Sequence, residues 1–283
     1  QNHHYRPQSI EGRIAMYRYI ATDVDGTMLD SRHQLNSAAL NTALGQLQQQ
    51  NVSWIVASGD SYRFLKKCFA PCPLIDTFIS INGALIVQKG QVVFERTHAK
   101  SQVNELIKAV NALPVTPDVI LLTGWNHTWG TRISDLKAWP FGINIDFIDD
   151  LTQVNDKIYN VNPIWLNHQV TPDQIRGFAQ QMIERYPVYA TYSGFGCMDV
   201  LPLGVNKAAG LKELIINDDH DQLKSVVAFG DSSNDRQMLQ EAGLGVAMKN
   251  ASPDILKLAN RITSYDNDHD GVLREVQSIF NLS

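Results

Sequence analysis

The sequence predicts an α/β protein in which a doubly wound parallel sheet is interrupted by an inserted α+β domain. Short β-branched apolar runs alternate with amphipathic helical segments up to residue 83, and the same alternation returns after residue 196. Between them it gives way to a hairpin and strands of mixed order. Strands separated by helices pair in parallel and are covered on both faces, so the two outer stretches form one Rossmann-like core.

Tyr17 to Thr22 reads as the first strand, and Ser37 to Gln50 as a helix with Leu40, Leu44 and Leu47 on one face. Val52 to Ser58 is a second apolar strand. The helix after it, Ser61 to Phe69, turns Phe64, Leu65 and Phe69 inward and stops at Pro71. Thr77 to Asn82 is a third strand, and Lys89-Gly90 has the turn chemistry of a hairpin. Ser101 to Leu113 then reads as a helix, with strands at Asp118 to Thr123 and Ile158 to Leu166. Thr171-Pro172, a hydroxyl cap followed by proline, opens a helix to about Tyr186. Two strands around Gly194-Phe195-Gly196 follow. A helix from Lys207 to Ile215, a strand from Ser225 to Asp231 and a helix at 234–242 come next. A strand from Leu244, a helix from Pro253 to Ala259 and a strand from Arg261 complete the alternation.

The expected division is therefore a core of 16–83 and 196–283 carrying an α+β domain at 84–195. Residues 1–15 hold a His pair and Ile10-Glu11-Gly12-Arg13, the pattern of an expression-tag remnant, with Met16 as the natural start. With 44% hydrophobic residues, a chain of 283 can fill one large core or two smaller ones. A net charge of −5 argues against nucleic acid or an anionic membrane as partner. No apolar run reaches the roughly 18 residues of a membrane span, and no signal peptide follows Met16. Cys68, Cys72 and Cys197 make no complete zinc set and read as reduced thiols of a cytoplasmic protein.

The chemistry gathers where core strands end. The stretch RYIATDVDGTMLD runs from apolar residues straight into Asp23 and Asp25, followed by Gly26 and Thr27. Two like charges at the tip of a buried strand require a cation between them or a proton on one. Three further strand or helix ends carry polar groups: Ser58-Gly59-Asp60, Lys207, and Asp231 with Asn234 and Asp235. In open α/β sheets ligands sit beyond the carboxyl ends of the strands, so these ends can converge on one crevice. Asp23, Asp231 and Asp235 are hard oxygen donors suited to Mg²⁺. Lys207 and the Ser58 hydroxyl suit phosphate oxygens, and Asp25 suits a general acid that later acts as base. That combination describes phosphoryl transfer through an aspartyl-phosphate.

DVDGTMLD, the strand-end Ser58, Lys207 in GVNKAAGL, and GDSSND together resemble the four motifs of the haloacid dehalogenase superfamily. The large insertion between the second and third motifs resembles its Cof-type phosphatases with a C2 cap, as do INGA (Ile81 to Ala84) and DGVLREV (Asp270 to Val276). The resemblance implies Asp23 as nucleophile, Asp25 as acid and base, and Ser58 and Lys207 as phosphate ligands, with Lys207 also orienting Asp23. It implies Mg²⁺ held by the Asp23 carboxylate, the Asp25 carbonyl and Asp231, with Asp235 acting directly or through water. Asn82 and Asn234 would lie near the phosphate, with Gly26, Thr27 and Gly59 completing its surroundings. Many relatives carry Gly-Arg after the second motif's hydroxyl residue, whereas this chain has Gly59-Asp60.

The expected activity is Mg²⁺-dependent hydrolysis of small phosphate monoesters, sugar phosphates first among them. A phosphomutase using the same nucleophile and a non-enzymatic sensor of a phosphorylated ligand are the alternatives. Trp125 to Arg132, a Gly-bounded aromatic stretch of the inserted domain, reads as a substrate-recognition loop or as buried core. His98, His168 and His220 show no ligand spacing and read as surface residues. Asp266 to Asp270 reads as a solvated acidic loop rather than a cation site.

Overall fold

The structure, a computed structural model, describes residues 17–131, 144–166, 170–216 and 222–283. The first half of the parallel core is β1 (Tyr19–Thr22), α1 (Ser37–Gln49), β2 (Ser53–Ala57), α2 (Tyr62–Cys68) and β3 (Thr77–Ser80). A hairpin, β4 (Leu85–Gln88) and β5 (Gln91–Glu95), turns through Lys89 and Gly90, both at positive φ as a tight hairpin requires. The helix α3 (Lys100–Asn111) follows, then β6 (Val119–Gly124), β7 (Thr128–Thr131), β8 (Asp146–Ile148), β9 (Ile158–Ile164), α4 (Pro172–Arg185), β10 (Val188–Gly194) and β11 (Cys197–Pro202). The chain closes with α5 (Lys207–Ile215), β12 (Val226–Gly230), α6 (Arg236–Glu241), β13 (Leu244–Ala247), α7 (Pro253–Leu258), β14 (Arg261–Ile262) and α8 (Gly271–Phe280).

The strands form two sheets. The first has the order β14-β13-β12-β1-β2-β3-β4-β5, parallel from β14 to β3 and antiparallel at its β4–β5 end. The second has the order β10-β11-β9-β6-β7-β8. One core packs around the parallel strands; Val56, Ile79, Val227 and Phe229 meet Leu40, Leu65, Leu211 and Val276 there. A separate core lies between the second sheet and α3 and α4, built on Leu106, Val110, Val161, Phe178 and Met182. A small cluster of Ile81, Leu85, Tyr159, Leu201 and Val205 joins the two. Local signals placed the helix starts well: Asn36, Ser61, Thr171 and Asn206 each cap their helix through the side chain, and Thr171 with Gln174 forms a reciprocal capping box.

Sheet membership moves the expected division of the chain at both ends. The hairpin expected to open the inserted domain continues the first sheet instead, because β4 pairs antiparallel along β3. Strand β11, expected to belong with the core, pairs with β9 and β10 in the second sheet. The exchange between sheets thus falls after residue 95 and after residue 202, not at 83 and 195. Each hairpin arm went to the sheet with an open edge beside it, which is a tertiary choice that local pattern does not encode.

Candidate active site

Strand β1 is central, with β12 on one side and β2 on the other, so chain order diverges there and the strand ends leave a crevice. Asp23 follows β1, its N–H bonded to Phe229 O at 3.1 Å, and is buried. Its Oδ1 accepts from Lys207 Nζ at 2.7 Å and its Oδ2 from Thr27 Oγ1 at 3.3 Å. Lys207 is the first residue of α5 and is wholly buried; its Nζ also reaches Asp235 Oδ1 at 2.6 Å. Burial alone would push this ammonium's pKa down, but the flanking Asp23 and Asp235 carboxylates hold it above the ordinary lysine value.

Asp231 follows β12, and the turn there is tied by Asp235, whose Oδ2 accepts from the N–H groups of Asp231 and Ser232 at 2.9 and 3.1 Å. Gly26 lets the loop after Asp25 pass close by: its φ is +74°, and a Cβ there would lie 2.3 Å from Asp231 Oδ2. One oxygen from each of Asp23, Asp231 and Asp235 lies within 4.8 Å of the others. Burial, then the charges of Asp23 and Asp235, push Asp231 up to about 10, and burial with the Asp23 charge pushes Asp235 up to about 6. Among the described residues these three carboxylates face a single ammonium, so the pocket carries surplus negative charge on hard oxygens. A divalent, oxygen-seeking cation fits that donor set.

Asp25 lies at the mouth, with 42% of its side chain exposed, its carboxylate 3.8 Å from His33 Nδ1. Ser58, at the end of β2, is buried; its Oγ donates to Asp60 Oδ2 and accepts from Asp60 N–H, both at 3.0 Å. Asp60 also faces Asp25 within hydrogen-bond reach, and burial plus that facing charge hold its carboxyl well above the usual range. The Asp60 carboxyl is thus turned onto Ser58 and Asp25. Asn234 Nδ2 donates to Asn82 Oδ1 at 3.1 Å, and both amides lie against Gly59. Every residue expected from sequence at the site, Asp23, Asp25, Gly26, Thr27, Ser58, Gly59, Asn82, Lys207, Asp231, Asn234 and Asp235, lies in these facing segments.

Residues that sequence reasoning missed stand on the second sheet. Asp199, in β11, is buried; Asn82 and Asn160 donate to it at 2.8 and 2.9 Å and Asn162 at 3.2 Å. A lone acid among the apolar residues of CMDVLPL was the available signal. Strand β10 packs against residues 233–235, which sets the second sheet over the crevice. Arg63 of α2 donates to the carbonyls of Trp125 and Asn126, tying the tip of the β6–β7 turn to the first sheet's helix.

The structure overturns one of the remaining readings and sharpens two. Trp125 to Thr131 is not a free loop but the turn and second strand of a hairpin: Trp129 pairs with Leu122, packs against the second core and donates to Asp156. Trp125 is 45% exposed, and Arg132 lies outside the described residues. His98 is buried rather than at the surface, its Nε2 2.9 Å from Val200 O, because the segment after β5 runs between the two sheets and bridges to Ile158. His168 and His220 lie outside the described residues. The acidic loop is occupied by the chain's own donors: Asp266 faces His269, Asp268 accepts from Ser31 N–H, and Asp270 accepts from Asn36. The three cysteines are free thiols.

A family model described as haloacid dehalogenase-like hydrolase matches residues 20–276. The chain belongs to that family. It is 27% identical over 271 residues to the 5-amino-6-(5-phospho-D-ribitylamino)uracil phosphatase YbjI of Escherichia coli K12, covering 93% of this chain and 96% of that protein. It is 30% identical over 247 residues to an HMP-PP phosphatase of Yersinia enterocolitica, covering 85% and 86%. Among solved structures it is similar to SMU.1108c from Streptococcus mutans UA159, with a TM-score of 0.83 and 25% identity over 94% of this chain and 99% of that one. The fold is also that of the subclass IIB sugar phosphatase BT4131, with a TM-score of 0.76 at 19% identity. The chain is a haloacid dehalogenase-type phosphatase, a phosphoric monoester hydrolase with a Rossmann-like core. No helix among the described residues is long and apolar enough to cross a membrane.

Proposed function

We propose that this phosphatase hydrolyses small phosphorylated metabolites, sugar phosphates first among them, in a Mg²⁺-dependent reaction through an aspartyl-phosphate on Asp23. The observation that supports it most directly is the wholly buried Lys207 spanning Asp23 and Asp235 beside the Asp23, Asp231 and Asp235 oxygens. Mg²⁺ would be held by Asp23, Asp231, the Asp25 backbone carbonyl and Asp235, and when bound it would neutralise carboxylate and phosphate charge during transfer.

A carboxylate oxygen of Asp23 attacks phosphorus as the bond to the leaving oxygen breaks. Lys207 and Thr27 hold that carboxylate in one orientation, so little reorganisation accompanies attack. Asp25, at the mouth where a leaving group would pass, donates a proton to the departing oxygen. It then takes one from the water that attacks phosphorus and releases Asp23. Asn234 and Lys207 supply donors for the phosphoryl oxygens, and the Ser58 hydroxyl would join them by turning its proton from Asp60. The second sheet, seated over the crevice through β10, acts as a cap of roughly residues 96–202 that limits water to the molecule used in hydrolysis.

The sugar-phosphate class is supported by the fold shared with a sugar phosphatase and by the phospho-ribityl substrate in the name of the E. coli relative. The test is phosphate release from a panel of sugar phosphates and other monoesters, with and without Mg²⁺, beside Asp23→Asn. Release that needs Mg²⁺, is highest on sugar phosphates and vanishes in the variant is expected. A folded protein that releases phosphate from none of the panel would refute the proposal.

A further inference from the structure

The segment that follows β3 is held in an unusual conformation. Ile81 and Asn82 stand at φ +48° and +55°, two consecutive non-glycine residues in the left-handed region, and Ile81 is β-branched. Gly83 completes the turn at φ +104°, where a Cβ would lie 2.6 Å from Asn206 O, next to Lys207. Two backbone bonds fasten the turn to the Ser58 loop: Ile81 N–H donates to Asp60 O and Asn82 N–H to Ser58 O, both at 2.9 Å. A conformation this uncommon persists where its surroundings hold it in place. Here it turns the Asn82 amide, only 1% exposed, toward the space between the two sheets.

There the amide meets a different partner on each side. Its Nδ2 donates to Asp199 Oδ2 at 2.8 Å, and its Oδ1 accepts from Asn234 Nδ2 at 3.1 Å. A carboxylate only accepts, so Asp199 fixes which end of the Asn82 amide faces it. That choice makes Asn82 present an oxygen to Asn234, and Asn234 must answer with its NH₂. Asn234 keeps a second N–H, and it sits in the turn between Asp231 and Asp235 beside Gly59. Asp199 is itself braced by the NH₂ groups of Asn160 and Asn162 on Oδ1, all from the second sheet.

We propose that Asp199 is a positioning residue that acts through the Asn82–Asn234 amide relay to aim the Asn234 N–H at the phosphoryl group. The relay links the seating of the second sheet to phosphate affinity. This rests on the function proposed above, in which phosphate binds beside Ser58, Lys207 and Asn234. An amide at position 199 offers both a donor and an acceptor, so Asn82 loses its preference and the relay can reverse, leaving Asn234 with an oxygen toward an anion.

The test measures inorganic phosphate binding to the full chain in the presence of Mg²⁺, by calorimetry, for the native protein, Asp199→Asn, Asn82→Ala and the double variant. Asp199→Asn is expected to weaken phosphate binding about tenfold, the scale of one lost charge-assisted hydrogen bond. Asn82→Ala should do the same, and the double variant should be no weaker than either, because both cut one relay. In Asp199→Asn, KM should rise with that loss while kcat stays within about threefold, a split that general destabilisation would not produce. If Asp199→Asn does not fold, Asp199→Ser takes its place in the cycle. Phosphate affinity within twofold of native in either Asp199 variant, or losses that multiply in the double variant, would overturn the proposal. So would a native chain that binds no phosphate. Phosphate binding without turnover of any monoester would instead refute only the function proposed above.

Discussion

Removing a carboxylate from the crevice should make the metal-free protein more stable. Asp231 is pushed up to about 10 by burial and by the charges of Asp23 and Asp235. Its unfolded value is near 3.8. Between those values the folded chain holds a proton that the unfolded chain has released. Stability from this group is therefore complete at low pH and is lost as pH rises. At pH 7 about three pH units separate the group from its unfolded value, at about 1.4 kcal/mol each, a penalty of about 4 kcal/mol. Solvent screening at this part-exposed carboxylate lowers the figure to about 2 kcal/mol. Asp231→Asn removes the penalty and keeps the shape, since its Oδ1 can still accept from Thr27 Oγ1. The expected result, by thermal unfolding in a chelator at pH 7, is a melting temperature higher by roughly 4–8 °C. The gain should shrink toward pH 4, and Mg²⁺ should raise the melting temperature of the native chain but not of the variant. No gain in the chelator, or a gain that does not change with pH, would refute the reasoning.

Lys207→Met acts in the opposite direction, because it strips from Asp23 and Asp235 the only ammonium that reaches them among the described residues while leaving the carboxylates buried. Breaking a buried pair from one side costs about 3–5 kcal/mol, so the unfolding free energy from denaturant titration should fall by that amount and phosphate release should cease; an unchanged unfolding free energy would contradict the pairing. His98 gives a third, independent reading. Burial lowers its pKa, so its contribution to stability is present above the unfolded value of about 6.5 and is lost as pH falls below it. The difference in unfolding free energy between the native chain and His98→Gln, from denaturant titrations at pH 8 to pH 5, should move against the native chain as pH falls, because the opposite trend from Asp231 is common to both.

Much of the site was legible in the sequence because its signals are local. Asp23, Ser58 and Asp231 each end an apolar run, and a strand tip in a parallel sheet is a position that can be read from a few residues on either side. Thr171 before Pro172 announces a helix start by cap chemistry alone. Period and cap likewise placed α1, α2, α4 and α5 within a residue or two of where they stand. The short strands β7 and β8 and the terminal helix α8 were not anticipated as elements, although α8 has a continuous buried face of Val272, Val276 and Ile279.

What the sequence by itself determined is thus the alternating core, the strand-end carboxylates with their lysine, and the presence of an inserted α+β segment. The tertiary structure alone decided which sheet each hairpin arm would join, that His98 would be buried, that Asp60 would turn toward Asp25, and that Asp199 would meet Asn82 across 117 positions of chain. The reason is physical. Periodicity and capping act over three or four residues, whereas edge pairing and the burial of a polar group depend on what the rest of the chain brings alongside.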